Sequence, residues 1–381
     1  MCYSKNTFPF MLDLSGVLKE IWDNGWFDDY SKDHFIIKAI YGELPDFRRK
    51  ESSQNEAIDL YKSCDDSNNF LVNLAYKLNR LKSSCATEEF KRFIEQMAAG
   101  KDNYEESQFW AAINELQVLS FMTLCGQYKV EYEPEIGGES GHKNPEYRIR
   151  NCFIIPGETP EQPLIPMSEY IFDIEVKTIS GAVNERIDIE KPYLTPLLAI
   201  EYKKKDALEK ICKESGYQVA YPDVIHLKDF LNSAADKFEL PINENHFNIL
   251  FLNWSFRELF NAYLEPLALL DNQYNGLWRY PQIGEKFQIN SDVYDKISAI
   301  VIYNLPIQGL MFNDIRWARS NDHYSVLFNP KLTSKQQIVL SGLFSYMPNQ
   351  NAKYDVCLLS SGNNSYICDA IKQEIRNIMF K

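Results

Sequence analysis

Three charged residues stand at alternate positions of an otherwise apolar run, Ile171-Phe172-Asp173-Ile174-Glu175-Val176-Lys177. In a pleated strand alternate side chains share a face, so Asp173, Glu175 and Lys177 project together while Phe172, Ile174 and Val176 point into a core. Such a face is solvated, paired internally, or used to hold a metal. A wet edge strand and a metal site both satisfy the heptapeptide alone. For Asp173 two roles stay open: an additional ligand, or a salt bridge with Lys177 or with an arginine of a neighbouring strand.

Two further carboxylates sit where a core would not ordinarily place them. Glu115 is embedded in the apolar helical stretch 108–125, which contains Phe109, Trp110, Ile113, Leu116, Leu119, Phe121 and Met122. A buried carboxylate needs a partner, so Glu115 is expected at the rim of its helix or aimed at something positive. Glu146 follows Pro145 and opens a strand expected to run to Ile155. If strands near 128–133, 146–155 and 170–179 form a meander, the second and third are neighbours and Glu146 and Glu175 converge at one rim of the sheet. Convergent carboxylates suit a hard divalent cation such as Mg²⁺, which takes one or two carboxylates, waters and substrate phosphate. A cation held there would neutralise a phosphodiester and activate a water, and a nearby lysine would orient that water and stabilise developing charge.

These residues resemble the PD-(D/E)xK nuclease superfamily, which has the restriction endonuclease-like fold. Pro145-Glu146 matches the first half of its motif, Glu175-Val176-Lys177 the second, and Glu115 the acidic residue that many members carry on the preceding helix. The resemblance covers about residues 106–255, with a glutamate at 146 where aspartate is usual and 28 residues between the two halves. It implies Mg²⁺ or Mn²⁺ held by Glu146, Glu175 and the Val176 carbonyl, an outer contact from Glu115, and water orientation by Lys177. It further implies hydrolysis of nucleic acid, DNA first, in a restriction or phage-defence setting. The alternative is a regulatory or interaction subunit that keeps the fold without the activity.

The elements that must position these groups are legible from periodicity. Helical spacings near 10–22, 30–41, 55–64, 68–83 and 87–99 predict a helical N-terminal domain over residues 1–105, a surface for DNA or a protein partner. Residues 106–303 read as an α/β core with a central mixed sheet flanked by helices and a helical insertion. Its expected elements include helices at 194–213, 227–238 and 256–270 and strands at 246–254 and 296–303. Residues 304–381 read as an α/β extension, with a strand at 324–328, helical turns from 334 to 346 and a terminal helix at 367–379.

A formal net charge of −13 opposes a polyanion at long range, so nucleic-acid binding requires a local basic patch. Candidates are Lys203-Lys204-Lys205, Lys237 and the trio Arg48-Arg49-Lys50, each of which also reads as a solvated surface. Eight scattered cysteines without a C-x-x-C pair, and no signal-peptide pattern, predict reduced thiols in the cytoplasm. No apolar run reaches the ~18 residues of a membrane span, so no membrane insertion is expected. The five histidines lack H-E-x-x-H spacing, and neither a P-loop nor a G-x-S-x-G elbow is present.

Overall fold

The computed structural model describes residues 16–44, 56–100, 103–123, 127–134, 144–153, 168–179, 192–196, 199–241, 243–254, 264–303, 305, 324–344 and 358–360, with four more between 373 and 378. The basic trio Arg48-Arg49-Lys50, the glycine-rich stretch 137–143, the proline-rich stretch 156–166 and most of the expected terminal helix lie outside the described residues. Contacts divide the chain into two compact units. One comprises residues 1–138, 144–176 and 305–320, and the other 139–143, 177–304 and 321–381.

The first unit opens with α1 (Gly16–Asp23), α2 (Phe35–Ile40), α3 (Glu56–Ser84), α4 (Thr87–Met97) and α5 (Glu106–Met122). The polar run Asp65 to Asn69, expected to separate two helices, instead lies inside α3. Asp, Ser and Asn are only mildly unfavourable in a helix interior, and the run contains neither glycine nor proline. The following turns bury Phe70, Leu71, Leu74, Leu78 and Leu81, and that packing carries the helix through. Phe35, Phe70 and Trp110 form an edge-to-face cluster, with centroids 5.1 Å apart for Phe35–Phe70 and 4.7 Å for Phe35–Trp110. Between α4 and α5 the chain turns at Gly100, where φ is +96° and a Cβ would meet the Asn103 carbonyl oxygen at 2.5 Å.

α5 is buried on nearly every side from Phe109 onward, as its lack of a polar face requires. It ends at Met122, within the helical stretch expected over 108–125, whose last two residues lie outside the described ones. The Thr123 hydroxyl donates to the Leu119 carbonyl at 2.8 Å, and the Arg80 guanidinium donates to the Thr123 carbonyl. These bonds satisfy polar groups that a helix terminus otherwise leaves open.

Strands β1 (Gln127–Tyr132), β2 (Tyr147–Phe153) and β3 (Ser168–Thr178) form the expected antiparallel meander. The second unit contributes β4 (Tyr193–Pro196), α6 (Tyr202–Glu214), β5 (Gln218–Val219), α7 (Val224–Lys237), β6 (His246–Asn253), α8 (Leu264–Asp271), α9 (Pro281–Lys286) and α10 (Asp292–Lys296). It continues with β7 (Ala299–Tyr303), β8 (Tyr324–Phe328), α11 (Ser334–Leu343) and β9 (Leu358–Ser360). The protein is thus α/β, with a six-stranded mixed sheet in the order β1-β2-β3-β6-β7-β8 and a smaller sheet in the order β5-β4-β9. Every residue of β6 and β7 is buried, and these two strands run parallel. Covered on both faces, they carry unbroken apolar runs, Ile249 to Leu252 in β6 and Ala299 to Tyr303 in β7, rather than alternating ones.

The helix expected over 194–213 is corrected at its start, because Leu194 belongs to β4 and α6 begins at Tyr202. Leu194 pairs in register with Val219 and Ser360, residues distant in sequence that periodicity could not supply. α7 is capped by Asp223, which accepts from the His226 amide at 3.0 Å. α11 carries a reciprocal cap: the Thr333 hydroxyl accepts from the Gln336 amide at 3.3 Å, and the Thr333 amide donates to the Gln336 side chain at 3.0 Å. Among the described residues no helix is long and apolar enough to cross a membrane.

Candidate metal centre

The register of β2 on β3 decides which charged groups meet. Arg148 stands opposite Asp173 and Tyr147 opposite Ile174. The pairing ends there: Glu146 lies in the bend just before β2, and Glu175 is the next residue of β3, so the two would face each other only if the register continued by one step. Alternation puts Arg148, Asp173, Glu175 and Lys177 on one parity of the meander, with Tyr147, Ile149, Phe172, Ile174 and Val176 on the other. This apolar set is fully or nearly fully buried.

Asp173 is an ion-pair residue. The Arg148 guanidinium grips it with two parallel hydrogen bonds, Nε to Oδ1 and Nη2 to Oδ2, both 2.7 Å. The aspartate is wholly buried and the arginine side chain is 12% exposed, so the pair is largely out of water. Bidentate geometry of this kind is the strong form of a charge-assisted hydrogen bond. Of the two roles left open for Asp173, the cross-strand arginine is the one found. The pair also pins β2 against β3 one step along the same parity from Glu175. Further out, Arg150 Nε lies 3.2 Å from Glu131 Oε1 on β1.

Glu175 is completely buried, and Glu146 is 8% exposed. Lys177 follows on the same parity and is half-buried, while the Val176 side chain is buried on the opposite parity. Glu115, 7% exposed, accepts from the Gln96 amide at 3.2 Å. The other end of that amide accepts from the Tyr132 hydroxyl. One partner of Glu115 is therefore a neutral amide donor.

Tyr132 and Tyr147 sense both Glu115 and Glu146. Burial is the largest reason that each phenol is held far above its ordinary range, and the charge of Glu115 comes next, with Glu146 adding to it. A phenolate beside two carboxylates is penalised twice, by desolvation and by like charge, so both tyrosines stay protonated, Tyr132 donating to Gln96 and the buried Tyr147 hydroxyl making no hydrogen bond among the described residues. The two fields overlap at these rings. Among the described residues no group of three or more His, Cys, Asp or Glu is arranged to hold a metal ion. What the fold assembles is a polar bridge from Glu115 through Gln96 to Tyr132, with the buried Glu146 and Glu175 each one residue beyond the last paired position of β2 on β3.

The other sequence candidates are dispersed. Lys203, Lys204 and Lys205 lie in the first turn of α6, and Lys237 in the last turn of α7. His34 and His246 are buried. His34 caps α2: its Nδ1 accepts from the Ile36 amide at 3.1 Å, so Nε2 carries the proton and donates to the Met97 carbonyl at 2.8 Å. Burial, the dominant influence, lowers its pKa from 6.5 to about 4. Cys85 and Cys212 are free thiols pushed up to about 12 and about 11, mainly by burial, and are correspondingly unreactive at neutral pH.

Sequence reasoning missed Gln96, Tyr132 and Tyr147 as neighbours of the acidic groups. Their only signal was that Tyr147 directly follows Glu146 and that Tyr132 ends the preceding strand. Comparison of the chain with protein-family models, with curated proteins and with solved structures finds no match.

Proposed function

We propose that this chain is a Mg²⁺- or Mn²⁺-dependent nuclease of the PD-(D/E)xK type with a restriction endonuclease-like core, hydrolysing DNA phosphodiesters in a restriction or defence setting. The observation that carries the reading is the β2–β3 pairing, which ends at Tyr147 opposite Ile174 and leaves Glu146 and Glu175 as the next residue on each segment, with Lys177 on the parity of Glu175. Two carboxylates are a donor set that suits a hard cation completing its shell with water and phosphate oxygen. Glu146, Glu175 and the Val176 carbonyl would hold the ion, which supplies charge neutralisation and an acidified water when bound.

Lys177 orients the attacking water and offsets charge developing on the phosphoryl oxygens. The Arg148–Asp173 pair positions the acidic groups by fixing the register of the strands that carry them. Glu115 tunes the site through Gln96 and the protonated Tyr132 and Tyr147. The helical N-terminal region supplies the surface for DNA or a protein partner.

The experiment is cleavage of plasmid and linear DNA by metal-stripped protein, with Mg²⁺, Mn²⁺ or EDTA added. Glu175→Gln and Lys177→Ala should each lower the rate by at least ~10²-fold while the far-UV circular dichroism is preserved. Cleavage in EDTA, or full activity in both variants, would sink the proposal.

A second reading, a nuclease-fold interaction subunit without activity, is favoured by one observation: Glu115, Glu146 and Glu175 do not form a single three-carboxylate group among the described residues. Calorimetric titration with Mn²⁺ separates the two. Heat of binding that disappears in Glu146→Gln supports the nuclease, and no heat with folded protein supports the subunit.

A further inference from the structure

The second unit holds an open cleft of 1520 Å³ walled by α6, β5, the start of α7 and the end of α9. Its volume exceeds the ~300–1,000 Å³ of an ordinary small-molecule site, which suits an extended ligand. Five lysines line it, Lys203, Lys205, Lys213, Lys228 and Lys286, against three carboxylates. That is a local positive excess on a chain whose net charge is −13.

The carboxylates are already engaged. Glu209 accepts from the Tyr221 hydroxyl at 3.1 Å, Asp223 caps α7, and Glu201 lies 3.6 Å from Lys286. Lys205 sits 4.6 Å above the Tyr221 ring, and Lys228 lies 3.2 Å from Asp229. Lys203 and Lys213 are exposed on α6 and, among the described residues, have no ion-pair partner. The lining also includes the half-buried Tyr217 and Phe287, each packed on one side against a hydrophobic core.

We propose that this cleft binds a single strand of nucleic acid, with phosphates on Lys203 and Lys213 and a base against Tyr217. Lysines spaced along a groove track a polyanion, and an aromatic ring beside them accepts the face of any base, which is how sequence-tolerant single-strand sites are built. The lysines favour an anionic ligand with more than one charge. The choice of nucleic acid rests on the nuclease reading together with the aromatic wall.

The test is fluorescence anisotropy of a fluorescein-labelled oligodeoxythymidylate titrated with full-length protein in EDTA, where metal-dependent cleavage is silent. Lys203→Ala/Lys213→Ala should weaken binding roughly tenfold or more and flatten the slope of log K against log salt by about 1.4, the share of two phosphates on a single strand. Tyr217→Leu should weaken binding without changing that slope. A duplex of equal length should bind less tightly than the single strand.

Unchanged affinity and slope in the double lysine variant would overturn the cleft as a binding site. Equal binding of duplex and single strand, with Tyr217→Leu silent, would overturn the single-strand assignment. The outcome is distinct from that of the nuclease reading: loss of binding in the lysine variant supports the cleft even where Mg²⁺ brings no cleavage, and intact binding removes it even where cleavage occurs.

Discussion

The face shared by β2 and β3 and the cleft beside α6 treat charge in opposite ways. On the strands, Asp173 and Glu175 are wholly buried, and Arg148 is committed to Asp173 by two 2.7 Å hydrogen bonds. In the cleft, Lys203 and Lys213 stand in solvent without a counter-ion among the described residues. A charge removed from water must be satisfied in place, so the strand face is energetically demanding and geometrically fixed. A charge left in water contributes little to folding but is free to exchange its counter-ions for phosphate. The two regions divide the labour between architecture and binding.

The sharpest way to break that contrast is Arg148→Ala, which leaves the Asp173 carboxylate buried without its guanidinium. The expected loss is about 3–5 kcal/mol of stability, measured by urea denaturation. A change below ~1 kcal/mol would show that water reaches the strand face and that burial is not what distinguishes it. The joint replacement Arg148→Met/Asp173→Leu should recover much of the loss, since removing both partners leaves no orphaned charge.

His34 sharpens the same contrast through pH. The folded state holds its neutral ring down to about 4, whereas the unfolded chain takes up the proton near 6.5. The contribution is fully present above pH 6.5 and is lost as pH falls toward 4, because protonating Nδ1 removes the acceptor for the Ile36 amide. The loss amounts to about 3 kcal/mol. Stability curves of the wild type and His34→Asn, which keeps a capping acceptor but does not titrate, should differ in slope over that window. Parallel curves would refute the assignment.

The smallest effect belongs to the cleft: Lys203→Ala and Lys213→Ala should each shift stability by less than ~0.5 kcal/mol at 0.15 M salt. A larger loss would mean that these lysines serve the fold.

Legibility followed the range of the interaction involved. The meander, the buried apolar parity of β3, the apolar α5 and the strands β6, β7 and β8 were readable from local period and turn residues. The continuous α3 was not, since packing after Phe70 outweighs the polar run from Asp65 to Asn69. Nor was β4, whose partners are more than twenty residues away along the chain. At the candidate site, the sequence marked Glu146, Glu175, Lys177 and Glu115, but the bridge from Glu115 through Gln96 to Tyr132 joins three separate elements.

By itself, the sequence determined that Asp173, Glu175 and Lys177 share a face, because a strand has period two, and that Glu115 must find a partner, because its helix is apolar all round. Only the tertiary structure decided that Asp173 belongs to Arg148. Register is set by where two strands lock together, and a slip of one residue would have sent every one of these groups to the other face. The same holds for the cleft: Lys203-Lys204-Lys205 reads as a solvated run until Lys213, Lys228 and Lys286 are folded around one groove with it.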